Sequence, residues 1–291
     1  LARLTMPECI EHLSLSAIGR KFREGSLNAV ALTQHCIDQH EPSLNAYREW
    51  TPEPALRQAQ HADEAFAKAQ DAGALQGIPI SVKDLYGVND TQTFAGSPAP
   101  MPPPWQSEGE IIKGLRASHA VFSGKTHTVE FAFGGLGVNS HWGTPRNPWD
   151  ADRHRVPGGS SSGAGVSLCE GTALVALGSD TAGSVRIPAS MTGNVGLKTS
   201  YGRWPVSGIF PLSPTLDTAG ILTKSVADAV TAFSAIDPHQ RSYGPRLARE
   251  VARCSPNDFV IGTGESALWE SCEPGICEAV EDALKTLEQA G

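Results

Sequence analysis

PGGSSSGAGVSLCEGTALVALGSDTAGSVRIPASMTGNVGLK, residues 157–198, carries more chemistry than any other part of this 291-residue chain. A polar Gly/Ser loop at 158–165 leads into a short apolar segment of helical character, closed by Gly171. The apolar run 173–177 reads as a buried strand, and a second Gly/Ser turn follows at 179–184, with Arg186 and Pro188 just beyond it. Ser160 and Ser184 each sit among residues too small to shield the main chain. Backbone N–H groups there stay free to face a reacting atom. An oxyanion hole needs this, because its donors must reach developing charge with no side chain in the way.

Working outward, GIPISVKD at 77–84 reads as a turn and a short buried strand that delivers Lys83 at its end. A lysine in that position is ordinarily a solvated strand terminus. Its company changes the reading. GIPISVKD (77–84), GGSSSG (158–163), GSDTAGSVRIPA (178–189) and GLKTSYGR (196–203) follow one another in the order of the amidase signature family of serine amidohydrolases, which the chain resembles. The family's pattern runs GGSSSGS, then GTDTGGSIRIPA, then GLKPTYGR.

The resemblance implies one α/β domain over 1–291: a twisted mixed central sheet flanked by helices, with the catalytic loops gathered on one side. A helical segment would occupy about 1–70 and the catalytic core about 73–235, with the carboxyl-terminal portion short of what family members carry. Ser184 would be the nucleophile, and Ser160, 24 residues earlier, the bridging serine whose preceding peptide is cis. Lys83 would be the base. A serine hydroxyl is inert until something takes its proton, and a lysine takes it only when burial or nearby positive charge keeps its amine neutral. The N–H groups of Thr181, Ala182, Gly183 and Ser184 would form the oxyanion hole, and Asp180 and Arg186 would pair to hold the loop. Two departures stand out. Ala182 replaces a usual glycine, which adds strain if φ is positive there and otherwise narrows the pocket; Thr199 replaces a frequent proline.

A rival reading takes GSSSG at 159–163 as the G-x-S-x-G nucleophile elbow of α/β-hydrolases. That motif needs a core strand before the serine, and DADRHR at 150–155 cannot supply one. It also needs a later histidine, and His239 is the sole candidate.

Composition narrows the rest. A net charge of −8 without a basic run argues against nucleic acid as a partner. No apolar run reaches the roughly 20 residues of a membrane helix, and the amino terminus lacks a signal peptide's apolar core. The chain opens at Leu1 without an initiator methionine, so a trimmed start is expected. Cys9, Cys36, Cys169, Cys254, Cys272 and Cys277 form no C-x-x-C pair, which fits reduced thiols in the cytoplasm. His127 and Glu130 stand three apart with no second half of a carboxylate-bridged metal motif, and the Gly-rich segment 134–148 lacks the Gly-Lys-Ser/Thr of a phosphate loop. Neither a metal nor an organic cofactor is implied.

Helical spacing marks 13–22 and 29–39, and a strand is expected within 44–50. An Ala-rich helix from Pro54 to about Gln70 reads as a surface element. Residues 89–104 form a long loop, and Phe94 within it and Trp105 just after it either wall the active site or anchor the loop. A helix at 110–117, a strand at 120–124, a Ser225-capped helix at 225–235 with Asp228 placed for a capping box, a strand at 259–262 and a helix at 277–289 complete the reading. An unpaired edge or exposed apolar face is expected at the carboxyl end.

The implied activity is hydrolysis of a carboxamide or related C–N bond of a small molecule through an acyl-enzyme on Ser184, releasing ammonia or an amine. Two other classes stay open. One is the amidase component of a glutamine-dependent amidotransferase complex; the other is an inactive scaffold that keeps the fold. A homo-oligomer is compatible with each.

Overall fold

Ile80 and Val82 alternate with Ser81 and Lys83 along strand β2 (Pro79–Lys83), and the two sets part company in the fold. Ile80 and Val82 join the large hydrophobic core, whereas the Ser81 hydroxyl bonds that of Ser167 on the opposite face at 2.8 Å. Lys83 follows Ser81 by the period of two that any strand imposes. Its side chain is thereby committed to the face that carries the Ser160 loop.

The structure, a computed structural model, describes residues 13–239, 246–263 and 271–291. The chain divides into two units, Leu1–Gly244 and Pro245–Gly291. In the first, β1 (Tyr47–Trp50), β2, β3 (Val121–Thr126), β4 (Val175–Asp180), β5 (Val195–Lys198) and β6 (Thr218–Thr223) form one mixed sheet in the order β1-β3-β2-β4-β6-β5. β2 runs parallel to both β3 and β4, and the outer pairs are antiparallel. Parallel strands are covered on both faces, and every residue of β2, β3, β4 and β6 is buried. Because Val82 pairs with Leu177, the carboxyl ends of β2 and β4 lie side by side. That places Lys83 beside the 179–184 turn.

One face of the sheet carries α1 (Leu15–Glu24), α2 (Ala29–Asp38), α3 (Pro52–Ala67), α4 (Glu110–Ala117) and α7 (Val226–Ile236), all contributing to the main core with Val175, Leu177, Ala219 and Ile221. A second cluster joins Ala176 and Leu222 to α5 (Ser162–Glu170) and α6 (Arg186–Thr192). α1 opens on Ser14, which accepts from Ala17 N–H, and closes on left-handed Gly25. α3 starts at Pro52 rather than Pro54, and it is not a surface helix. Ala55, Ala59, Ala62 and Ala65 form a buried stripe whose methyl groups allow close approach to the sheet. Ser225 caps α7 as expected, but Asp228 is diverted from the capping box: it accepts from the Ser225 hydroxyl and from Leu15 N–H at the start of α1.

The strand expected within 44–50 is Tyr47–Trp50, after a 3-10 turn at Pro42–Leu44. Half of the 158–165 loop is already helix, since α5 begins at Ser162. β4 starts later than expected and runs to Asp180. In the second unit, α8 (Arg246–Val251) and α9 (Pro274–Ala290) flank a capped 3-10 turn at Pro256–Asp258. The expected strand at 259–262 is absent. Among the described residues no partner strand receives its N–H and C=O groups, and Phe259 stays 60% exposed. On α9, Ile276 and Leu287 are exposed. Among the described residues, no helix is long and apolar enough to cross a membrane.

At its first turn α5 comes against main chain, and Gly163 leaves the room for it. A Cβ on Gly163 would stand 2.0 Å from Ala46 carbonyl oxygen and 2.6 Å from His127 N. Both neighbours are main chain and cannot yield cheaply. Gly163→Ala is therefore expected to cost about 1–3 kcal/mol or more by overpacking, read as a lower midpoint of denaturation. Gly275→Ala, whose added carbon meets nothing within 4 Å, should stay within about 0.5 kcal/mol of the parent.

Candidate active site

Lys83 is fully buried, and its amine has only hydroxyl and carbonyl groups for company. Nζ donates to Ser160 Oγ at 2.7 Å and to Ser179 Oγ at 2.9 Å, with Ser179 carbonyl oxygen at 3.5 Å. Burial pulls its pKa from 10.5 down to about 7, and Asp180 and Asp217 pull weakly the other way. A neutral amine with a lone pair is thus accessible near neutral pH.

Ser160 is held from both sides. The Gly159–Ser160 peptide is cis, as the resemblance implied. Gly159 N–H donates to Gly135 O at 2.7 Å, and Ser160 O accepts from Val129 N–H and Ser162 N–H. The Gly-rich segment from 134 onward, which the sequence left without a role beyond excluding phosphate binding, is a buttress for this serine.

Ser184 joins the same cluster through its main chain, its carbonyl accepting from Ser161 N–H at 3.2 Å. The residue is 8% exposed, and its hydroxyl bonds to none of the described residues. Lys83 and Ser160 are therefore in direct contact, whereas Ser184 stands beside them without an Oγ–Oγ bond.

Asp180 shapes the turn that carries Ser184. It is buried at the end of β4 and accepts from Gly183 N–H (2.8 Å) and Val185 N–H (3.1 Å), and from the Arg186 guanidinium at 3.0 and 3.1 Å. Burial alone would raise its carboxyl pKa; the guanidinium and the backbone donors outweigh that and hold it below the usual carboxylate range. The expected Asp180–Arg186 pair is present. The expected set of four N–H donors is not: Gly183 N–H is committed to Asp180, which leaves those of Thr181, Ala182 and Ser184 without an acceptor among the described residues. The positive φ of this turn falls on Gly183, at 125°, and not on Ala182. Alanine at 182 therefore carries no left-handed strain.

Two residues that the sequence did not single out complete the geometry. Ser179 is the second hydroxyl partner of Lys83. Asp217 accepts from Thr181 Oγ1 at 2.6 Å and from Leu212 and Ser213 N–H, pinning the Ser184 turn to the 212–217 segment. A place next to Asp180 at a strand end gives no signal for Ser179, and Asp217 reaches the turn from 36 positions further along the chain.

A cavity of about 280 Å³ opens beside this cluster. Ser179 and Thr181 lie on one side, with Leu85, Trp105, Ile209 and Phe210 supplying apolar wall. Trp105 meets Phe210 edge-on at 5.7 Å, and Phe131 lies against the same ring at 5.6 Å. Trp105 is thus a wall residue. Phe94 is an anchor, packed against Trp142 and under the Arg48 guanidinium at 4.5 Å. Phe131 and Ala132 both adopt left-handed φ (51° and 60°), a strained pair that presents Ala132 to the cavity. His127 and Glu130 do not converge on a common point: His127 is buried against Asn45, while Glu130 pairs with His141. Among the described residues no group of three potential metal ligands is found.

The sequence profile of the amidase family matches residues 28–291. A 2-amino-5-chloromuconic acid deaminase of Comamonas testosteroni is 51% identical over 283 residues, covering 96% of this chain and 60% of that protein. A glutamyl-tRNA(Gln) amidotransferase subunit of Carboxydothermus hydrogenoformans is 34% identical over 291 residues, covering 96% of this chain and 59% of its relative. Among solved structures, the native peptide amidase of Stenotrophomonas maltophilia superposes with a TM-score of 0.81 at 28% identity, over 98% of this chain and 62% of that one. The chain spans about three fifths of the length of these relatives. With the family profile matched across most of the sequence, the chain belongs to the amidase signature family.

Proposed function

We propose that this chain carries the catalytic centre of a serine amidohydrolase that cleaves a small-molecule carboxamide or related C–N bond. The observation that carries the reading is the buried Lys83 amine, 2.7 Å from Ser160 Oγ and with a pKa near 7. Ser184 Oγ attacks the carbonyl carbon as substrate seats and closes its bond to Ser160. Its proton passes to Ser160 Oγ, whose own proton moves to Lys83 Nζ. The carbonyl oxygen takes up negative charge, met by the N–H groups of Thr181, Ala182 and Ser184. Collapse breaks the C–N bond, and the proton returns through Ser160 to the departing nitrogen. Water then hydrolyses the Ser184 ester by the same relay, freeing acid and enzyme.

A second reading is favoured by the 34% identity to an amidotransferase component: ammonia release here would feed a partner enzyme. Activity that appears only when partner chains are added would select it. Either way the free thiols of Cys36 and Cys169 suit the cytoplasm.

The intact mass after exposure to a small fluorophosphonate tests the centre without a known substrate. One adduct on Ser184 is expected, absent in Ser184→Ala and formed at least ~100-fold more slowly in Lys83→Ala. A folded chain that stays unlabelled would sink the reading.

The rate of adduct formation should rise with pH up to about 7 and then level, because only deprotonated Lys83 accepts the relay proton. The sign for stability follows from the same depression. Between about 7 and 10.5 the unfolded chain holds a proton on this lysine that the folded chain has released. Lys83 thus makes folding more favourable as pH rises through that window. A labelling rate flat between about pH 5.5 and 8.5 would remove Lys83 from the role of base.

A further inference from the structure

The cavity beside Ser179 and Thr181 has a chemistry of its own. Its volume, about 280 Å³, falls just short of the roughly 300–1,000 Å³ typical of small-molecule pockets, enough for a ring-sized group on a short linker. The wall is apolar and aromatic, with Trp105 and Phe210 packed edge to face. Among the described residues lining it, Asp217 alone is charged. Its carboxylate is already occupied by Thr181 Oγ1 and by Leu212 and Ser213 N–H, so it offers little to an incoming donor and repels an incoming anion. No described lysine, arginine or histidine lines the space to receive a carboxylate. Burying an unpaired charge there is costly, and burying an apolar group is favourable.

We infer that this cavity is a substrate subsite for an uncharged, apolar group of aromatic size, carried by the amide that Ser184 attacks. The inference rests on the hydrolase reading above and narrows it. Any carboxylate of the substrate must lie outside this cavity. Phe210 is the specificity-determining residue: it closes the wall against Trp105 on one side and Phe131 on the other. Phe131 and Ala132 hold their strained turn at the same wall, which keeps the ring of Phe131 over Phe210 and the small face of Ala132 toward the occupant.

Two fluorophosphonates with arms of equal length, one ending in phenyl and one in carboxylate, separate the possibilities. On the unmodified protein the phenyl arm should label Ser184 at least ~10-fold faster. Equal rates, or faster labelling by the carboxylate arm, overturn the subsite while leaving Ser184 as nucleophile. Labelling by neither arm, nor by a methyl fluorophosphonate, overturns the hydrolase reading and the subsite with it. In Phe210→Arg the phenyl arm loses an aromatic contact and the carboxylate arm gains a cation, so the ratio of the two rates should fall toward or below one. This variant decides the assignment even if part of it fails to fold, because loss of folded protein scales both rates and leaves their ratio unchanged. A ratio in Phe210→Arg equal to that of the parent places the apolar preference elsewhere and overturns the assignment to this cavity.

Discussion

Keeping one lysine dry, and without a carboxylate of its own, is the constraint from which the arrangement of this site follows. The contrast lies one strand away. Lys125, on β3, is as buried as Lys83, yet its amine meets Asp84 at 2.9 Å. Asp84 directly follows Lys83 in sequence and would keep the Lys83 amine charged if it faced the same way. Strand alternation prevents this: Asp84 turns to Lys125 and Arg48. Lys83 is left with the hydroxyls of Ser160 and Ser179, which satisfy an amine without holding a proton on it.

Each neighbouring element serves that isolation. The sheet buries β2 on both sides and sets β4 next to it, so the turn after Asp180 lies within reach. Asp180 folds its own turn around its carboxylate and sends the excess negative charge outward to Arg186. Asp217 stitches the far side of that turn to the segment that also forms the cavity wall. Two carboxylates close to the lysine thus act mainly on backbone N–H groups, a hydroxyl and an arginine.

Much of this was legible in the sequence because the motifs are local. Lys83 at the end of an apolar strand, the serine loops and the Asp180–Arg186 pair are each encoded within a few residues of one another. What was not legible depends on partners far away. The buried face of α3 is made of alanines, whose pattern is too weakly apolar to announce burial without knowing what packs there. Residues 259–262 have the composition of a strand but no ladder to join among the described residues. Gly183 looks like one more free N–H until Asp180 is seen to take it. Ser179 lies among conspicuous neighbours, and only the parallel pairing of β2 with β4 brings it to the lysine.

That pairing has a consequence for how the chain acquires its chemistry. Lys83, Ser160 and Ser184 come from segments separated by whole helices and strands, and Lys83 does not reach the two serine loops until the non-local parallel strands β2 and β4 have aligned. Long-range parallel pairing is intrinsically slow to form, because loop closure must precede the contacts that reward it. Until then Lys83 is hydrated and protonated like any other lysine, and the serines are ordinary alcohols. In a nascent or partly unfolded copy the Lys83–Ser160 contact and the burial that lowers the lysine pKa are therefore both missing, and they arise together only in molecules whose central sheet is assembled.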